Sequence, residues 1–147
     1  AVVVGATRTL LGDVIDAGAP MVLAKAETFG VLRHYWLFGV ALSIGHSLLE
    51  EYYWRWFVYG RLRRLLPPVC AHLGAGLAFA AHHVVVAGVY FGAGWGVVMG
   101  AGVGAGGVIW SLLYERQKTL VGAWVSHAIV DLSLMIIGYR LLFVASQ

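Results

Sequence analysis

Two adjacent carboxylates, Glu50 and Glu51, and an arginine, Arg55, stand inside an apolar and aromatic run over residues 35–59. The other apolar stretches hold few ionisable side chains. His82 and His83 lie in one, His127 and Asp131 in another with Arg140 near its end, and His46 stands one turn before Glu50. A carboxylate can act as general base on water, and imidazoles can relay protons or stabilise developing negative charge. Together these meet the needs of peptide-bond hydrolysis by an activated water. The same side chains offer a second chemistry, because Glu50, His83 and His127 form a two-histidine, one-carboxylate set able to ligate Zn²⁺. No serine or cysteine stands in an obvious nucleophile arrangement with the histidines, Ser126 and Cys70 included, and no H-E-x-x-H motif is present.

Helical spacing divides the acidic pair. His46, Glu50 and Trp54 share one face at i, i+4 and i+8. Glu51 and Arg55 share a neighbouring face at i, i+4 with the glutamate first, the better order for an ion pair. Glu51 is therefore expected to be neutralised by Arg55 in a structural role, leaving Glu50 to find partners on other helices. His127 and Asp131 form another i, i+4 pair, in which the carboxylate can orient the imidazole. His46 and His82 read as polar packing or hydrogen-bonding residues, a common use of histidine between membrane helices. A charge at the centre of a bilayer helix costs roughly 2.5–3.5 kcal/mol on insertion scales, so isolated ionisable groups at that depth point to function.

The elements that must position these groups are apolar helices. Residues 35–59 would cover roughly 37 Å as a helix, enough to cross a hydrocarbon core of about 30 Å. Residues 72–91, 95–113 and 119–143 supply three further spans, with connections at 60–71 and 114–118. Measured from the span ends that carry basic residues, Glu50 lies roughly 15 Å deep, His83 roughly 16 Å and His127 roughly 12 Å, with Asp131 one turn deeper. Three helices thus place ionisable groups in one slab, as a single convergent site requires. Gly88, Gly92, Gly96, Gly100 and Gly104 recur every four residues, with Gly102 and Gly106 on a second row, a bare stripe where another helix can approach closely. Residues 1–34 read as two short amphipathic helices at an interface, near 6–17 and 21–32, divided by the turn signal Gly18-Ala19-Pro20.

Composition points the same way. Of the 147 residues, 61% are hydrophobic and 12% charged, against about 25% charged in ordinary soluble domains. Mean hydropathy is +0.82. A soluble domain this short could not enclose so much apolar surface. The net charge of +3 comes from basic residues at the ends of apolar runs, and no basic patch interleaves with an exposed aromatic platform, which excludes nucleic acid as a partner. Arg61, Arg63, Arg64, Arg116 and Lys118 place connections 60–71 and 114–118 in the cytoplasm, so the site opens toward that side. The single cysteine, Cys70, excludes an intrachain disulfide and a cysteine-rich metal site. The expected fold is all-α, a polytopic transmembrane helix bundle of about four spans plus N-terminal interfacial helices. With Ala at position 1 it reads as a possible fragment of a larger bundle. Residues 1–34 form the amphipathic N-terminal segment and residues 35–147 the membrane core of a multi-pass integral protein.

Taken in order, Glu50-Glu51-x-x-x-Arg55, Phe79-x-x-x-His83 and His127-x-x-x-Asp131 resemble the three-motif signature of the CPBP family of intramembrane proteases. This is the CAAX protease and bacteriocin-processing (ABI) family, which includes the Rce1-type prenyl-protein endopeptidases. The resemblance covers roughly residues 35–135. It implies an endopeptidase acting on membrane-associated or lipidated proteins, with Glu50 as general base and His83 as its partner in activating water. By the same resemblance, His127 and Asp131 would stabilise the oxyanion, and Glu51 and Arg55 would hold the site together. Rce1-type members carry Asn where this chain has Asp131, and an ionised Asp cannot donate a hydrogen bond. No resident cofactor is implied unless Glu50, His83 and His127 hold zinc. The partners expected are membrane lipid and a peptide or protein substrate, and the location a prokaryotic plasma membrane. Two other readings compete: a non-catalytic membrane protein giving self-immunity to a bacteriocin, and a proton-coupled transporter, for which no inverted repeat is visible.

Overall fold

The computed structural model describes residues 2–144, and every element among them is helical. Helix α1 is Val2–Thr28. After a 3-10 turn at Leu32–His34 comes α2, a continuous rod over residues 35–65. In α2, α-helical turns at Tyr35–Ala41, Ser47–Glu51 and Gly60–Leu65 alternate with π-helical segments at Leu42–His46 and Tyr52–Tyr59. Helices α3 (Pro68–Phe91), α4 (Ala93–Gln117) and α5 (Val121–Tyr139) follow, α5 running on into a π segment at Arg140–Val144.

The joints are short, and each has a local cause. Leu66 is extended ahead of Pro67, as a residue preceding proline tends to be, and Pro68 opens α3 in the first-turn position that needs no amide donor. Between α3 and α4 stands one residue, Gly92, at φ 83°, a conformation that glycine adopts without a Cβ penalty. Lys118, at φ 55°, ends α4 in the left-handed conformation, its amide donating to the Tyr114 carbonyl at 2.9 Å.

The glycine stripe closes α4 onto α3. A Cβ on Gly96 would lie 2.7 Å from the Gly88 Cα and from the Val84 carbonyl oxygen, and one on Gly107 3.3 Å from the Gly76 Cα. Only hydrogen at these positions lets the two backbones come so near. Gly102 faces open space and takes no part.

Three helices, α3, α4 and α5, are each long and apolar enough to cross a membrane. The fourth expected span is α2, which has the length but carries Glu50, Glu51 and Arg55 and is divided by its π segments. The expected ends need correction. The first span continues through Arg61, Arg63 and Arg64 to Leu65, so connection 60–71 shrinks to a turn at Leu66 and Pro67, and α3 starts at Pro68 rather than at residue 72. Residues 114–117 continue α4 instead of forming a loop. The two N-terminal helices are one, with Pro20 inside it, because Gly18 serves packing rather than a turn: a Cβ there would collide with the Phe91 ring.

The interior is unusually polar. Ser43, Ser47, Glu51, Arg55, His72, Ser111 and His127 are buried beside Tyr59, Phe79, Trp110 and small alanines, while Leu37, Leu49, Leu77, Val85 and Ile129 are exposed. In lipid that distribution is natural, since apolar side chains gain little by leaving an apolar solvent and polar groups must pair within the bundle.

Candidate active site

The site forms where α2, α3 and α5 meet. Glu50 and Glu51 lie on the single α-helical stretch Ser47–Glu51, between the two π segments of α2. π turns interrupt the regular carbonyl ladder and often occur at functional sites. Trp124 of α5 makes use of the first, donating its indole N–H to the Ile44 carbonyl at 2.9 Å.

Glu51 is fully buried, and each of its oxygens has a partner close by. Its Oε2 lies 3.0 Å from Arg55 Nε, and its Oε1 accepts from His127 Nδ1 at 2.8 Å. Arg55 is equally buried, and its guanidinium lies 4.7 Å from the Phe79 ring centre and 5.2 Å from that of Trp110. Two aromatic faces and one carboxylate thus hold this charge away from water. Its two terminal nitrogens have no hydrogen-bond acceptor among the described residues.

Glu50 differs. Its carboxylate is 12% exposed and faces several imidazoles at long range: His82 Nε2 at 3.4 Å, His127 Nε2 at 3.6 Å and His46 Nδ1 at 3.8 Å. His127 stacks on Trp110, the rings 4.2 Å apart. With its Nδ1 proton given to Glu51, its Nε2 can donate only when both ring nitrogens are protonated. That nitrogen faces Asp131 Oδ1 at 3.5 Å as well as Glu50. His83 donates from Nδ1 to the Phe79 carbonyl at 3.0 Å, which leaves Nε2 as its available acceptor. Phe79 is the hub: its ring meets Trp54, His82, His83, Trp110 and His127.

All the residues singled out by spacing therefore surround one point. Glu51–Arg55 pair within their helix, Asp131 reaches His127, and His83 lies beside Glu50. His82, read from sequence as packing, is the nearest imidazole to Glu50; it is half-exposed and stacks parallel on Trp54, with ring centres 5.6 Å apart. Its adjacency to His83 was the one signal of this. The grouping of potential ligand atoms differs from the set expected from the sequence, which had His127 in place of His82. Among the described residues the ligand atoms lying within 4.8 Å of one another belong to Glu50, His82 and His83, whereas His127 is engaged with Glu51.

A second polar network, absent from the sequence reading, lies toward the end of the helices marked by basic residues. Glu115 of α4 accepts from Tyr59 Oη at 2.7 Å and from Arg63 Nε at 3.0 Å, and its Oε2 lies 2.8 Å from His72 Nε2. His72 Nδ1 in turn meets Ser111 Oγ at 2.7 Å, and its ring stacks on Tyr59. The placement of His72 and Glu115 at expected helix ends hid this network.

No curated protein and no solved structure matches the chain. A family model does match, over residues 32–133, a range that starts at the 3-10 turn before α2 and ends just past Asp131, so that every residue of the site falls inside it. With the charged motif of α2, the histidines of α3 and the His127–Asp131 pair of α5 gathered in one membrane bundle, the chain belongs to the family of the type II CAAX prenyl endopeptidase Rce1-like proteins.

Proposed function

We propose that the chain is a multi-pass intramembrane endopeptidase of a prokaryotic plasma membrane, which hydrolyses membrane-associated or lipidated proteins with a water activated by Glu50. The observation that carries this reading is the division of labour within the acidic pair. Glu51 has both oxygens occupied by Arg55 and His127, while Glu50 faces imidazoles at distances that leave room for a small reactant. A water between Glu50 and Nε2 of His83 gives its proton to Glu50 and attacks the scissile carbonyl. His127, in its doubly protonated form, donates from Nε2 to the developing oxyanion. Asp131, 3.5 Å from the same Nε2, orients the ring before the substrate oxygen takes that proton, and can itself donate only as a carboxylic acid. Glu50 then passes its proton to the departing amine. His82 closes the exposed side of Glu50.

A second reading has its own support in the grouping of Glu50, His82 and His83, a donor set suited to zinc. Zinc there would polarise the carbonyl and acidify a bound water. Activity that survives exhaustive chelation, in protein with no stoichiometric metal, removes this reading. The proposal as a whole is tested by Glu50→Gln and His83→Ala in cells, followed by comparative peptidomics. Loss of specific cleavages at normal expression supports it. Full retention of the phenotype in both variants leaves the immunity-protein reading standing instead.

A further inference from the structure

Beyond the second network lies a cavity of about 360 Å³, lined by Tyr59, Arg63, Arg64, Tyr114, Glu115 and Lys118 among others. Its size falls within the roughly 300–1,000 Å³ typical of small-ligand sites. Its one lining carboxylate, Glu115, is already bonded to Tyr59, Arg63 and His72. Arg64 and Lys118 are exposed and make no ion pair among the described residues. The cavity therefore presents two uncompensated cations and two phenol rings at the helix ends. Lys118 is set at the mouth by its left-handed backbone, and Arg64 by the last turn of α2. Leu65 and Leu66, next to Arg64, are exposed apolar residues.

We propose that this cavity binds the phosphate of an anionic phospholipid from the leaflet facing the basic helix ends. Paired cations fit a phosphate, and basic pockets between helices at this level of a membrane are suited to lipid head groups. The apolar Leu65–Leu66 edge favours a lipid over a free phosphate, because an acyl chain has a surface to lie against. The site is independent of how Glu50 acts, and its occupant would bridge α2 and α4 through Arg64 and Lys118.

The test uses the full chain in a neutral detergent, offered equal amounts of phosphatidylglycerol and phosphatidylcholine, with retained lipid read by native mass spectrometry. Wild-type protein retains phosphatidylglycerol preferentially. R64Q/K118Q loses that preference by about fivefold per residue removed. R61Q/R116Q makes the same change of net charge outside the cavity and keeps the preference. Millimolar inorganic phosphate leaves the bound lipid in place. An equal loss in R61Q/R116Q means unspecific surface charge, displacement by phosphate means a small-anion site, and no preference in the wild type means no site; each overturns the proposal. A melting curve for each variant shows that it is folded.

Discussion

Glu115 and Glu50 are both carboxylates that bring helices together, and their surroundings differ in an unexpected way. Glu115 is the more exposed, at 28% against 12%, yet its oxygens are filled by a phenol, a guanidinium and an imidazole at 2.7–3.0 Å. Glu50 is more enclosed, and its nearest imidazole partners stand at 3.4–3.8 Å. What separates the two is how many of their lone pairs are already engaged at hydrogen-bond distance, and on the proposed function that marks Glu115 as a fastener and Glu50 as the base. Within the site the same contrast recurs between neighbours, Glu51 being engaged and Glu50 open.

The strongest way to break this comparison is Glu50→Gln. It should lower cleavage of a membrane-tethered reporter peptide by about 10³-fold, within the usual range for a lost general base, without altering the melting temperature. Comparable turnover in the variant would show that Glu50 is merely another fastener. Glu51→Gln comes next and acts on stability, because it strands the buried Arg55. A loss of about 3–5 kcal/mol is expected, seen as reduced folded yield and earlier denaturation in detergent. If Glu51→Gln instead folds normally and only stops turnover, the two glutamates have been assigned the wrong way round. His82→Ala should slow cleavage by about tenfold, a loss of roughly 1.4 kcal/mol from the barrier, with little change in stability. An unchanged rate would return His82 to a packing role on Trp54. The smallest effect is expected from Tyr59→Phe, which removes one hydrogen bond from Glu115. It should cost about 1 kcal/mol of stability and leave the cleavage rate alone, as measured by melting and reporter assays on the same preparation. A rate change there would tie the second network to the chemistry.

Much of this site was legible because helical periodicity is a strict rule. The Glu51–Arg55 pair and the separate face of Glu50 follow from four-residue spacing, and both are present. The His127–Asp131 pair followed in the same way. The contact between His127 and Glu51 did not, since it joins residues far apart in sequence through the rotation of α5 about its own axis, which no local pattern encodes. The place of His82 was not legible because two neighbouring helix positions point in different directions, yet a ring nitrogen of each lies within 4.8 Å of Glu50. The helices run further than the sequence suggests, through Arg61–Leu65 and 114–117, because a cluster of charge at a helix end has the same composition as a loop. There, Arg63 on α2 and Glu115 on α4 are bonded to one another, and the backbone has no reason to unwind. The π segments of α2 had no sequence signal.

The one-residue joint at Gly92 bears on how the protein is made. Helices α3 and α4 pack through their own glycines as soon as both have emerged, so this hairpin can enter the membrane as a finished pair. Helix α2 is synthesised earlier and cannot be finished alone. Arg55 is at hand for Glu51 from the start, but His127 lies 76 residues downstream. Until α5 arrives, Glu50 lacks one flank and Glu51 one partner, and a nascent chain stopped before α5 holds the charges without the arrangement that surrounds them in the finished bundle. The order of synthesis therefore delays assembly of the surroundings of Glu50 until α5 is in place.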